Sequence, residues 1–524
     1  MEKRKKLIIL GIVLGVLLVS GITYAILTWT SSKINIGLTS NCFTIDYTKG
    51  NDIANASIKA LNESDLISDN KFTIKEGIAL TYANIGIKST CTIEGYGSLY
   101  LNVTTLSDAF ITGNSKGALK YAVLNNTSTT STITVASLLN QSFDIVSSGS
   151  ITSVGKLKLL TEQLSNNKLN KYLIVIYADE SKIANDAVSA SFNGTVSADA
   201  NQGKLTLADT ITNLYNNASK TSVANNSITY QYDTTNNLMK DTAGNIRYYG
   251  ASPNNYIYFN CSDYSNQSSS TCETWRIIGV FEGKVKLIRG SQIGSYSWDN
   301  KNRSTGAEDA YGKNDWTDAR LMKLLNPGYE SETTGGSLYY NSGSGNCYSG
   351  ENNATKTCNF TSTGIKNPET RNLISDTTYY LGGWDSTSVY PNQIYEYERG
   401  TAVYSERPTT WQGKIALPYP SDYGYAADLG KCLNKQLNAY DDSACTSNNW
   451  MKTIVNNESN NSVWLLTPYS GTSSYAWYVH SSGYVYNSNS SYLAYGVAPV
   501  LSLNSKLAVK AGTGSSSAPY QLSA

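Results

Sequence analysis

His480 is the single histidine of the chain, so acid–base relay chemistry of the Ser-His-Asp or Cys-His kind would have to run through it. No G-x-S-x-G elbow supplies a matching nucleophile. Carboxylates are more plentiful: Glu308, Asp309, Asp385, Glu396 and Glu398 could stage two-carboxylate hydrolysis, but among forty acidic residues spacing alone selects no pair. Trp298, Asp299 and Asn300 carry the residue types of a lectin calcium motif in a different order from the usual Trp-Asn-Asp. Asp299, Asn300 and Asn302 could offer oxygen ligands to a hard cation, so calcium is the one cofactor left open, although polar loops of this composition are more often solvated. The sequence has no EF-hand loop, phosphate-cradling glycine loop or histidine metal cluster, and no cofactor is expected otherwise.

The eight cysteines are Cys42, Cys91, Cys261, Cys272, Cys347, Cys358, Cys432 and Cys445, the last six in three close pairs. Zinc is disfavoured because no pair has C-x-x-C spacing and one histidine cannot complete a site. Disulfides between sequence neighbours close the shortest loops, which pairs Cys42 with Cys91, Cys261 with Cys272, Cys347 with Cys358 and Cys432 with Cys445.

Binding has a stronger signature than catalysis. Tyr475, Trp477, Tyr478, Tyr484, Tyr486, Tyr492 and Tyr495 crowd one stretch, with His480, Asn487 and Asn489 as polar partners among Ser and Gly. Tyr and Trp give stiff contact area at low entropy cost, while Ser, Gly and Asn adapt their hydrogen bonds. Alternating aromatics also stabilise sheets through cross-strand pairs. So many rings exceed one buried face, which points to a surface that takes a glycan or a protein ligand, with Trp477 and Tyr486 as anchors.

The elements that must carry this surface are mainly strands. Of 524 residues only 15% are charged while 40 are tyrosine, and 41 basic against 40 acidic residues give a net charge of +1. That balance offers no attraction to nucleic acid and favours an extracellular, β-rich protein. Residues 1–28 join a basic start (Lys3, Arg4, Lys5, Lys6) to an apolar run over 7–27. The pattern predicts a signal anchor in the membrane, or a signal peptide if cleavage follows Ala25. Residues 34–202 alternate in the period of strands, with Leu99, Leu101 and Val103 on one face, a core run at 173–177, and Val188, Ala190 and Phe192 lining a closing strand. This predicts a β-sandwich stalk. Over 203–235 a short helix with Leu207, Ile211 and Leu214 on one side, capped by Thr206, is expected to lead into a polar linker, with single strands inside it left open.

Residues 236–524 predict a second, α+β domain. Glu282 and Gly283 suit the turn of a β-hairpin over 275–288. Residues 314–328 read as a helix, capped by Asn314 or Asp315, apolar through Trp316, Leu321, Leu324 and Leu325, and stopped by Pro327 and Gly328. Apolar runs at 464–466 and 497–503 read as buried strands bracketing the aromatic stretch.

Two resemblances accompany these patterns. The run YLIVIYADESKIANDAVSASFNGTVSADANQ resembles the last two strands of the secreted β-sandwich family of camelysin and bacterial biofilm-matrix fibre subunits. This implies a packing or fibre module without chemistry of its own. The series YYGASPNNYIYFN, CETWRIIGVFEGKVKLIRG, KNDWTDARLMKLLNPGYESETTGG, GKIALPYPSDYGYAADL, WLLTPYSG, AWYV and PYQL resembles a large family of bacterial surface domains. That resemblance implies the C-type-lectin-like fold of formylglycine-generating enzymes and of the variable proteins of diversity-generating retroelements, which carry their ligand surface near the C-terminus. Members commonly have Arg where this chain has Ala498. An oxidase of the formylglycine type would need reactive thiols, for which Cys432 and Cys445 are the candidates, and pairing would silence them.

The first expectation is therefore a bacterial surface protein, anchored outside the membrane or secreted, whose C-terminal head binds a glycan or surface protein in adhesion. A structural fibre or matrix subunit is the alternative, and an enzyme is third. Protease added to intact cells should remove both domains; protection of residues 34–524 would refute the outside placement, and a mature chain starting at Ile26 would make the protein secreted.

Overall fold

The computed structural model describes residues 43–53, 58–89, 95–165, 167–187, 190–202, 205–327, 338–339, 345–456, 462–491 and 495–523. The expected membrane or signal helix, Cys42, Cys91, Val188 and Tyr492 lie outside them. Among the described residues no helix is long and apolar enough to cross a membrane. The protein is mainly β and divides into two compact units, Met1–Leu205 and Thr206–Ala524.

In the first unit, period-2 alternation builds two facing sheets. A three-stranded sheet runs in the order Phe192–Gln202, Gly95–Leu106, Gly155–Leu164. It sends Leu99, Leu101, Val103, Leu160 and Val196 into one core with Ile85, Val123, Ile174 and Ile176 of an eight-stranded sheet. Tyr47 ties the two by donating its hydroxyl to the Val196 carbonyl at 3.1 Å. The strand Leu169–Asp179 is central in the larger sheet and buried on both faces: Ile174 and Ile176 point between the sheets, while Leu173, Val175 and Tyr177 join a second cluster with Phe72 and Leu138. That accounts for its unbroken apolar run. The closing strand begins at Phe192 and is lined by Val196 and Ala198; Ala190 precedes it and packs against the same core.

The second unit starts at Thr206, so the linker expected over 203–235 is corrected. The Thr206 hydroxyl caps the helix Leu207–Asn217 as anticipated. However, Leu207, Ile211 and Tyr215 enter the unit's main core, and the hairpin Thr221–Asn225 with Ile228–Asp233 forms the end of its nine-stranded sheet. Tyr230 and Tyr232 hold this hairpin down by packing with Tyr249, Tyr425 and Leu429, a packing that polar composition alone conceals. The Leu207 amide donates to the Leu507 carbonyl, which joins the unit's first and last segments.

The sheet continues through Leu238–Lys240, Ile246–Tyr248, Glu273–Phe281, Lys284–Arg289, Val500–Ser502 and Ile415–Ala416. The Glu282-Gly283 turn is present, with φ of 50° and 75°, the left-handed pair of a type I′ hairpin turn. Cys261–Cys272, Cys347–Cys358 and Cys432–Cys445 are disulfides, so Cys432 and Cys445 are not free thiols.

The helix expected from Asn314 is only Arg320–Leu325. Asn314 spends its amide on the carbonyls of Tyr469, Thr472 and Tyr475 at 2.8 to 2.9 Å, and Asp315 caps a turn at Thr317. The Arg320 amide at the helix start is met instead by Asp299 Oδ1 at 3.2 Å.

A buried charge network binds the helices to the sheet. Arg247, on the strand Ile246–Tyr248, donates to Asp241 at 2.6 Å and to Asp422 at 3.0 Å, and Lys286 of the neighbouring hairpin holds the other Asp422 oxygen. Burial works against the Asp422 carboxylate, but the Lys286 and Arg247 charges overcome it and keep its pKa below the ordinary range. Glu398 ends the helix Pro391–Glu398 and accepts from the Ser421 amide at 2.9 Å and the Ser421 hydroxyl at 2.6 Å. Its burial outweighs Arg399 and Ser421, pushing the carboxyl from 4.5 up to about 7.

Because this folded-state pKa lies above the unfolded one, the proton Glu398 holds stabilises the fold at low pH, and that stability is lost as pH rises toward about 7. Denaturant titrations from pH 4.5 to 7 should show a decline of up to about 1.4 kcal/mol per pH unit, the limit for one proton. Glu398→Gln should flatten it; equal slopes in the two proteins would refute the assignment.

Candidate aromatic binding surface

The expected site lies on a five-stranded sheet, in the order Ser295–Tyr296, Tyr495–Gly496, Val463–Pro468, Tyr475–Val479, Val485–Asn489. The last two strands form a hairpin whose turn is closed by the His480 amide on the Tyr484 carbonyl and the Gly483 amide on the His480 carbonyl, each at 2.8 Å. In its register Tyr478 faces Tyr486, Trp477 faces Asn487 and Tyr475 faces Asn489. Directly opposed residues share a face, and successive residues alternate between faces. The single cluster read from the sequence is therefore two.

One face carries Tyr478, His480, Tyr484 and Tyr486. His480 and Tyr484 stack at 4.4 Å with ring planes 8° apart, and Tyr484 meets Tyr486 edge-on at 6.2 Å. Tyr486 is 49% exposed, the most exposed ring of the group, while His480 and Tyr484 are half-buried. Tyr478 is buried beneath the row. It packs against Tyr495 at 4.6 Å and against Trp464, and burial pushes its phenol pKa up, with Tyr495 adding to the shift. Tyr478 and the half-buried Tyr495 thus support the surface and do not display it. Ser482 donates its amide to His480 Nδ1 at 3.1 Å, so the neutral ring carries its proton on Nε2. That leaves a donor on an aromatic row, an arrangement suited to hydroxyl-rich or peptide ligands.

The other face turns inward. Trp477 is 0% exposed and packs in a core with Trp450, Val479, Val485 and Leu465, so its expected role as a ligand anchor is corrected. Pleat alternation forces this: with Tyr478 on the aromatic row, Trp477 must point to the opposite side. Tyr475 is half-buried beside Tyr469 at 6.3 Å, and Asn487 and Asn489 sit half-buried on the Trp477 face, apart from the exposed row. Tyr469, which the sequence reading missed, stands next to the stacked pair Trp384 and Tyr397, whose centroids are 3.9 Å apart, within one packed cluster. Its own signal was weak, a lone tyrosine after the run WLLTP.

No known protein family, curated protein or solved structure matches the chain.

Most of the other chemical candidates are engaged by the protein itself. Both Asp299 oxygens accept backbone amides, those of Lys313 at 2.9 Å and Arg320 at 3.2 Å among them, and Asn300 bridges the Gly350 and Ala354 carbonyls while accepting from Arg320. Asn302 caps the turn Arg303–Thr305. Asp299 and Asn300 are latches between loops and Asn302 is a local turn cap, which corrects their reading as cation ligands. Glu308 pairs with Arg407 at 3.1 Å, Asp309 accepts from the hydroxyls of Ser473 and Ser474, and Glu398 belongs to the buried network. Asp385 offers its backbone carbonyl to the Tyr469 hydroxyl, and Glu396 stands exposed on the same helix as Glu398. None of these carboxylates pairs with another across an open cleft among the described residues.

Trp477→Ala should destabilise the unit by about 3 to 5 kcal/mol, the scale for emptying a core aromatic position. Tyr486→Ala should stay within about 0.5 kcal/mol of the parent, as for an exposed substitution. Thermal melts of both variants test this, and a reversed order would mean the faces are assigned the wrong way round.

Proposed function

We propose that this is a bacterial surface or secreted protein in which residues 206–524 form a C-type-lectin-like head that binds a glycan or a protein, carried on the β-sandwich of the first unit. The observation that supports the reading best is the row His480, Tyr484 and Tyr486, in successive ring contact, open to solvent at Tyr486 and braced from below by Tyr478. Exposed aromatic rings in one row serve as stacking faces for sugar rings or as anchors for a partner chain. A sheet whose opposite face is nailed into the core by Trp477 holds such a row rigid, which lowers the entropic cost of binding.

The disulfides are compatible with export, since such bonds persist in oxidising compartments. The adhesive role is part of the same proposal. The membrane attachment belongs to the same proposal.

A screen of the full chain against glycans and against surface proteins tests the reading. Tyr484→Ala combined with Tyr486→Ala should weaken the captured ligand by on the order of 2 kcal/mol or more, the scale of a hot-spot loss, with melting unchanged. Full binding by the folded double variant would remove this row from the reading.

A further inference from the structure

The second unit has a cavity of 290 Å³ that is separate in its lining from the aromatic row. One wall is the hairpin around the Glu282-Gly283 turn, where Lys284 and Lys286 project to one side and Ser502 lies opposite Lys286 in register. The facing wall is the hairpin Thr377–Tyr380 with Thr410–Gly413, in which Thr378 and Gln412 are directly paired. Arg399 and Tyr419 come from the ends of two helices that the buried charge network fixes in place.

Arg399 is the group that gives this cavity a chemistry. Its Nη1 donates to the Tyr395 carbonyl at 3.2 Å and to Glu398 at 3.3 Å, and the guanidinium lies 3.5 Å from the Tyr395 ring centroid. Its Nε and Nη2 donate to no protein group among the described residues, and the side chain keeps a quarter of its surface open. Two parallel N–H bonds from such a guanidinium edge match the two oxygens of a carboxylate.

The surrounding charges agree. Arg247, Lys286 and Arg399 face Asp241, Asp422 and Glu398 in the buried network, and Glu398, with its pKa raised to about 7, is in good part protonated at neutral pH. Arg399 is the cation of this network that reaches the cavity with open surface. Asp376 is balanced by Lys414 at 3.2 Å, and at the rim the Glu282 carboxylate is offset by the Lys284 ammonium in the same lining. The one open guanidinium edge of Arg399 matches a single planar carboxylate better than a tetrahedral phosphate.

The remaining lining selects further. Gln412, Thr378 and Ser502 make no side-chain hydrogen bonds among the described residues, and rings of Phe281, Tyr380 and Tyr419 supply flat apolar surface. Hydroxyl-directed polar groups beside aromatic faces suit a sugar ring, and the volume stands at the lower edge of ligand pockets, room for one ring.

We propose that this cavity binds a sugar acid, with Arg399 Nε and Nη2 on its carboxylate and Gln412, Thr378 and Ser502 meeting its hydroxyls. It is a second site, independent of the aromatic row.

Titration calorimetry on the full chain in detergent solution, using glucuronate, galacturonate, glucose and inorganic phosphate, tests it. A uronate should bind saturably, glucose at least about tenfold more weakly, and phosphate should not displace it. Arg399→Lys keeps the charge but loses the fork and should weaken uronate binding about tenfold. Gln412→Ala, at an exposed rim position, should weaken it several-fold with melting unchanged, and so carries the test if the Arg399 variant folds poorly. Combined Tyr484→Ala and Tyr486→Ala should leave uronate binding as it was, which separates this site from the proposed ligand row. Absence of uronate binding, equal binding of glucose, displacement by phosphate, or parent-like binding by the Gln412 variant would each overturn the proposal.

Discussion

Asp422 sits between two cations it could not do without. Fully buried, it accepts from Arg247 on one oxygen and from Lys286 on the other, and Arg247 in turn holds Asp241. A carboxylate removed from water in this way is tolerated only when such partners are complete, and removing one would leave a buried charge unpaired. The consequence is geometric. The helix Pro420–Tyr425, the strand Ile246–Tyr248 and the hairpin around Glu282 have to meet at one point, and Glu398 with Ser421 brings the helix Pro391–Glu398 to the same place. The guanidinium of Arg247 fills the remaining space between the rings of Phe281 and Tyr425, at 4.6 and 4.7 Å. The walls and the cationic lining of the cavity both follow from this junction.

Loops elsewhere in the second unit are held by polar side chains that behave as substitute backbone. Asn314 takes three carbonyls of the 469–475 loop, Asn300 takes two of the 350–354 turn, and Asp299 satisfies the amides of Lys313 and Arg320. Buried loop backbone lacks a ladder to satisfy it, so each such side chain replaces hydrogen bonds that water would otherwise supply. This explains how long irregular segments rich in Ser, Asn and Gly remain packed over a core of tryptophans, with Trp298, Trp316 and Trp411 in successive ring contact. The disulfides add cross-links to three of the loops.

The aromatic row depends on both layers. Its strands belong to a sheet fastened through Trp477 on one side, while Tyr478 and Tyr495 form a ring-on-ring base on the other. The outermost rings, Tyr484 and Tyr486 with His480, keep surface open to solvent. A surface built this way separates duties between neighbouring residues of one strand: one side chain holds the fold and the next supports contact.

Much of the architecture was legible in local patterns. Leu99, Leu101 and Val103 declared a sandwich face because strand alternation is a local property, the Glu282-Gly283 pair declared its turn because only left-handed backbone closes that hairpin, and Thr206 declared a helix start by its capping hydroxyl. The three close cysteine pairs among the described residues are bonded as sequence neighbours. What the sequence left undecided was which partner each polar or aromatic residue would find. Asn314 resembles a helix cap until three distant carbonyls claim it, Asp299 and Asn300 resemble cation ligands until backbone amides and Arg320 occupy them, and Trp477 resembles an anchor until pairing with Asn487 sends it inward. Arg247 and Asp422 lie 175 residues apart, Lys286 and Asp422 136, so no spacing could reveal their junction. Patterns of period and turn are written into adjacent residues and survive any tertiary arrangement; hydrogen-bond and charge partners are chosen by burial, which only the packed chain decides.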